Sequence, residues 1–179
     1  MLSHYLRFNR LDRQLSEQRP RLHRMAMAWC GDAILADDLV QDTLTKALEK
    51  QEQLKDEERL GAWLYRILHN CWMEYLRTQK PTLDIDEVEL TCTDCPEKQF
   101  TDDQLAEYVR AAVETLPVGQ RQVMTLVDLE GCSYEQVALI LDIPQGTVMS
   151  RLSRARETMK KRLQGLQQTD NVHYLRRVK

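Results

Sequence analysis

Apolar residues along this chain recur at spacings of three and four, no stretch alternates apolar with polar, and only 6 of 179 residues are glycine. That pattern predicts helices and no strands. A first helix is expected from about Pro20, a residue accepted in a first turn, through Leu22, Met25, Ala26 and Trp29 to a stop near Gly31. Asp32 then caps a second helix, whose inward stripe is Leu35, Ala36, Leu39, Val40, Thr43, Ala47 and Leu48. Asp37, Asp38, Gln41, Asp42 and Thr45 gather on its other side as an acidic polar face. A polar connection from about Gln51 to Glu58 leads to a third helix, with Trp63, Leu64, Ile67, Leu68, Cys71, Trp72, Tyr75 and Leu76 at helical spacing, ending before Pro81. Trp63 and Trp72 lie on that apolar stripe and read as core. Further on, Leu105, Val109, Ala112, Val113 and Leu116 mark a fourth helix, and Val123, Leu126 and Val127 a fifth that closes at Gly131.

The most specific pattern follows. Ser133 and Gln136 stand at capping-box spacing ahead of a short helix, Tyr134 to Leu141, with Val137, Ala138 and Leu141 inward. Asp142, Ile143 and Pro144 break it, and a new helix starts near Gly146, where Val148, Leu152, Ala155 and Met159 form one buried stripe. Two helices about a three-residue turn make a helix-turn-helix. The opposite face of the second helix is expected to gather Thr147, Ser150, Arg151, Arg154, Thr158 and Lys161, donors and cations without a carboxylate. Such a face suits the DNA major groove, because Ser and Thr near a helix N-terminus meet phosphates and Arg can donate two bonds to guanine.

Charge sharpens the picture only when split along the chain. The net charge is -3, yet residues 1 to 30 hold six Arg against two acids, residues 81 to 103 eight acids against one Lys, and residues 146 to 165 six basic residues against one Glu. The acidic, proline-bearing stretch from 81 to 103 reads as an extended linker between two small helical domains, residues 1 to 80 and 104 to 165, followed by a tail from 166 to 179. No run of about 18 apolar residues and no secretion signal is present, which places the chain in the cytoplasm. Five scattered cysteines are expected to be reduced. Cys92 and Cys95 form one CxxC without a second half-site, so no metal is assigned, and a redox role for the pair would have to show in oxidation effects that Cys92→Ser abolishes.

These residues resemble a known family. LPVGQRQVMTLVDLEGCSYEQVALILDIPQGTVMSRLSRARETMKKRL looks like the fourth region of extracytoplasmic-function sigma factors, and ADDLVQDTLTKALEK with GAWLYRILHNCWMEYLRTQK looks like their second region, in the family's order. The resemblance implies a non-enzymatic specificity subunit of RNA polymerase, without cofactor or small-molecule substrate, that directs promoter-specific initiation. It implies that Asp38, Gln41 and Asp42 meet the clamp of the polymerase's largest subunit, with the flap of the second-largest as a further partner. It assigns Arg59, Arg66, Asn70, Arg77 and Lys80 to the melted minus-ten element of promoter DNA. To the minus-thirty-five element it assigns Ser150 and Arg154, to which the helix face adds Thr147, Arg151 and Lys161, with phosphate or intraprotein contacts as the alternative for Arg151 and Arg156. It also implies an anti-sigma factor, in that family often membrane-bound. Two departures bear on the promoter sequence: the loop KDEERL lacks the family's usual aromatic residue, and Met149 stands where many relatives carry Arg.

The rival reading is a stand-alone helix-turn-helix regulator, which needs a sensor or dimerisation domain that residues 1 to 80 do not signal, and which reads two half-sites about 34 Å apart. An enzyme is disfavoured because no phosphate loop, HExxH or GxSxG is present and His4, His23, His69 and His173 stand isolated.

Overall fold

The computed structural model describes residues 2–54, 56, 59–79 and 102–163. Among them the elements are α1 (Leu2–Cys30), α2 (Ala33–Glu49), α3 (Leu60–Gln79), α4 (Asp102–Glu114), α5 (Val118–Met124), α6 (Tyr134–Leu141) and α7 (Gln145–Leu163). A 3-10 turn spans Gln51–Gln53, and a five-residue π turn, Thr125–Leu129, continues α5. The expected all-helical class stands. The expected acidic linker, its CxxC and the tail beyond residue 163 lie outside the described residues.

One boundary is corrected. α1 does not begin at Pro20 but runs through it for 29 residues. The reason lies upstream, where Leu11 and Leu15 are buried on the same stripe as Leu22, Met25 and Trp29. A proline inside a helix costs about 3 kcal/mol, and two buried leucines return about 3 to 6 kcal/mol, so the longer helix wins. Gly31 then stops α1 at φ +70, a left-handed value that glycine adopts without penalty, with its N–H donating to the Met27 carbonyl. The Asp32 carboxylate accepts the Leu35 N–H at 2.9 Å and starts α2 as expected.

α1, α2 and α3 pack around Leu22, Met25, Ala26, Leu39, Val40, Leu64 and Leu68, all at most 3% exposed. In the second half, α5, α6 and α7 enclose Val123, Leu126, Val137, Val148 and Leu152, and a smaller cluster, Ala112, Leu116, Ala155 and Met159, joins α4 to α7. The two halves do not stand apart. A single apolar cluster runs through both, and α6 lies against α3 while α4 and α5 lie against α1. Polar groups fasten this seam. The Trp29 indole N–H donates to the Thr125 hydroxyl at 2.8 Å, deep in the contact. Arg121, buried, donates to the Trp29 carbonyl at 2.7 Å and to the Leu116 carbonyl at the end of its own neighbouring turn.

Candidate nucleic-acid interface

The helix-turn-helix forms from local chemistry. Ser133 Oγ accepts the Gln136 N–H at 3.1 Å, and the Gln136 side chain accepts the Ser133 N–H at 2.8 Å, so both halves of the capping box are made. Asp142 ends α6 in the left-handed region at φ 55, a conformation Asp tolerates better than most side chains. Pro144 then leads into α7, its carbonyl accepting the Thr147 and Val148 N–H groups. Val148, Leu152, Ala155 and Met159 are all buried, which fixes how α7 is rotated and which residues it turns outward.

The outward face is Gln145, Met149, Ser150, Ser153, Arg154, Glu157, Lys160 and Lys161, all exposed. One expectation is overturned: the face does carry a carboxylate. Glu157 lies seven residues beyond Ser150, two full turns on and therefore directly above it, and it pairs with Lys161 at 2.9 Å. Ser150 and Arg154 are exposed as expected, Ser150 donating to the Thr147 carbonyl at 3.1 Å and Arg154 Nε to the Ser150 carbonyl at 3.3 Å. Thr147, Thr158 and Arg151 are half-buried at the edge of the face. The Arg151 guanidinium is seated on α5, where a methyl added at Gly119 would stand 2.9 Å from it. Arg156 is committed within the protein, its guanidinium gripping both oxygens of Asp128 at 2.5 and 3.2 Å, and that hydrogen bonding raises its already high pKa. Met149, 56% exposed in the first turns of α7, adds an apolar side chain to this face.

On α3, Arg66, Asn70 and Arg77 share one exposed row at spacings of four and seven. Arg59 precedes the helix, largely exposed, and pairs with Asp56 at 3.3 Å. Lys80 falls outside the described residues. Beside this row stands His69, whose Nδ1 lies 3.0 Å from Gln122 Nε2 of α5. Burial first, then Arg66 and Arg77, push His69 down to about 4, while Asp142 from the end of α6 acts the other way.

On α2, Asp38, Gln41 and Asp42 are exposed, and Asp37 pairs with His23 at 3.6 Å. Sequence reading missed Ile34, 77% exposed one turn before Asp37 and Asp38, which makes the face mixed rather than purely acidic. Its signal was its place outside the inward stripe. Among the described residues no cluster of metal-ligating side chains and no helix long and apolar enough to cross a membrane occurs.

Comparison with known proteins adds to this geometry. The family described as Sigma-70 region 2 matches residues 15–82, and Sigma-70, region 4 matches residues 106–159. The chain is 35% identical over 141 residues to the ECF RNA polymerase sigma-E factor of Escherichia coli strain K12, covering 72% of this chain and 74% of that protein. It is 36% identical over 141 residues to the protein of the same name from Haemophilus influenzae, covering 72% and 75%. The sigma factor RpoE of Bartonella quintana, solved in complex with the anti-sigma factor NepR, superposes at a TM-score of 0.69 with 30% identity, covering 86% of this chain and 96% of that one.

Proposed function

Because this chain belongs to the sigma-70 family, in its extracytoplasmic-function group, we propose that it binds core RNA polymerase and directs promoter-specific initiation in the cytoplasm, without an active site of its own. The observation that carries this is the presence in one chain of both matching regions, with the outward face of α7 rich in cations and hydroxyls.

The proposed division of labour follows the exposed chemistry. Residues 1–80 and 104–165 act as the two working domains. Ser150, Arg154 and Lys161, with Thr147 at the edge, meet the minus-thirty-five element, Arg154 as the strongest candidate to read a base. Arg151 is reassigned by its seat on Gly119 to holding α7 against α5, within reach of a phosphate at most. Arg66, Asn70 and Arg77, with Arg59 and Lys80, meet the minus-ten strand, and Asp38, Gln41 and Asp42 meet the polymerase clamp. There, opposite charge would speed encounter and set orientation more than affinity. Control by an anti-sigma factor is supported by the likeness to a sigma factor solved with one.

The test is run-off transcription from a fragmented bacterial genome with sigma-free core polymerase, comparing wild type with Arg154→Ala. Discrete new transcripts are expected, and the variant should lose about 1 to 3 kcal/mol of discrimination at one base pair. A protein that binds DNA but neither joins core polymerase nor starts transcripts would instead be a stand-alone regulator.

A further inference from the structure

We propose that this chain latches itself shut: Glu130, at the end of the π turn that follows α5, holds the C-terminal half on α1 and α3 and keeps the two DNA-reading helices too close together to engage two promoter elements at once. This rests on the transcription reading above and adds its regulation.

Glu130 is an acid in an unusual place. Its side chain is 7% exposed, yet the partners of its carboxylate come from the other half of the molecule. Arg21 of α1 donates to Oε2 through Nη2 at 2.7 Å and Nε at 3.1 Å, and the Tyr65 hydroxyl of α3 donates to the same oxygen at 2.5 Å. Burial and the nearby carboxylate raise the Tyr65 pKa, so its hydroxyl stays a donor. A carboxylate this deeply covered is tolerated only while hydrogen-bonded to opposite charge. Closing the halves therefore requires all three groups, and removing two of them leaves Glu130 driven toward water.

The rest of the seam combines the apolar cluster that runs through both halves with polar pairs. Trp29 with Thr125, Arg121 with the Trp29 carbonyl and Gln122 with His69 are polar pairs that water can replace on opening. Gly31 adds a close approach, since a methyl there would stand 3.1 Å from the Glu114 carboxyl carbon of α4.

Closure has a geometric consequence. α6 packs on α3 beside His69, one row from Arg66, Asn70 and Arg77, and Asp142 acts on that same histidine. α7 begins only three residues after α6 ends, a step of at most about 14 Å. Elements named for positions ten and thirty-five lie about 25 base pairs apart, about 85 Å at 3.4 Å per pair. α3 itself is about 30 Å long. The closed chain cannot span that gap, so the seam must open before both elements are read.

The experiment uses the purified full chain without polymerase, DNA or partner, measuring the radius of gyration by X-ray scattering and hydrogen exchange of the Trp29 indole N–H by NMR. Wild type should be compact with a slowly exchanging Trp29. Glu130→Ala should expand and exchange Trp29 at least about tenfold faster, and Arg21→Glu with Glu130→Arg should close it again. Asp128→Asn, which breaks a bond wholly inside the C-terminal half, should leave both readouts at wild type. Should Glu130→Ala lose helix by circular dichroism, Arg21→Ala with Tyr65→Phe opens the same latch while keeping the Tyr65 ring in its place in the core. An extended wild type, or an unlatched variant as compact and protected as wild type, overturns the proposal. In core-polymerase titrations a closed form favoured tenfold weakens wild-type binding about tenfold relative to Glu130→Ala; equal affinities overturn the regulatory role. The scattering and exchange readouts involve no polymerase, so their failure leaves the transcription reading intact, while missing transcripts from a chain that opens as described overturns only that reading.

Discussion

His69 was one of four isolated histidines in the sequence, and the fold makes it distinctive by where it puts Gln122, Trp29 and Asp142. Its ring stands edge-on to Trp29 at 6.4 Å and takes a hydrogen bond from Gln122, which suits the neutral form. With Arg66 and Arg77 adding to burial and Asp142 opposing, the folded ring resists protonation down to about 4, whereas an unfolded histidine takes up its proton near pH 6.5. Between those values the unfolded chain binds more protons. The stability this ring contributes is therefore full above pH 6.5 and falls as pH falls, by about 2 kcal/mol at pH 5. Urea unfolding at pH 7 and pH 5 should show that loss in wild type and much less of it in His69→Gln; equal losses would place the cause elsewhere. Arg151 and Arg154 teach the same lesson. Three residues apart on one helix, they look equivalent in sequence, but the fold seats Arg151 against Gly119 of α5 and leaves Arg154 exposed.

At the scale of elements, α6 was the most legible because its signals are local. Ser133, Gln136 and the break at Asp142 to Pro144 act within a few residues, and the helix has the expected ends, Tyr134 and Leu141. Ser133→Ala removes one half of the capping box and should cost about 1 kcal/mol in urea unfolding. α6 props α7 through Ile140, Leu141 and Val148, so the same variant should loosen the first turn of α7, read as faster amide exchange there than at its C-terminal end. Uniform exchange along α7 would show that the prop acts rigidly. α1 was less legible. Pro20 is a strong local stop signal, and only the burial of Leu11 and Leu15 by other elements reverses it.

For the whole molecule, the seam between halves changes how stability is shared. Leu126 is fully buried in the cluster that runs through both halves. Leu126→Ala should destabilise the chain by about 2 to 5 kcal/mol, and amide protection should fall in α1 and α3 as well as in α5 to α7. Native-state hydrogen exchange checks this, because a loss confined to residues 102–163 would mean that the halves unfold independently. Thermal unfolding of wild type should likewise be one transition.

Sequence alone determined the helical class, the helix-turn-helix and the outward residues Ser150 and Arg154, because periodicity, caps and breakers act over one or two turns. Only tertiary structure decided that Arg151 is seated on Gly119, that Arg156 pairs with Asp128, that α1 runs through Pro20, and that Glu130 joins Arg21 and Tyr65 from 109 and 65 residues away. These outcomes depend on which surfaces meet, and a contact between distant residues leaves no period in the chain. In sequence Glu130 is one acid among 28 Asp and Glu; burial against two donors from the other half is what sets it apart.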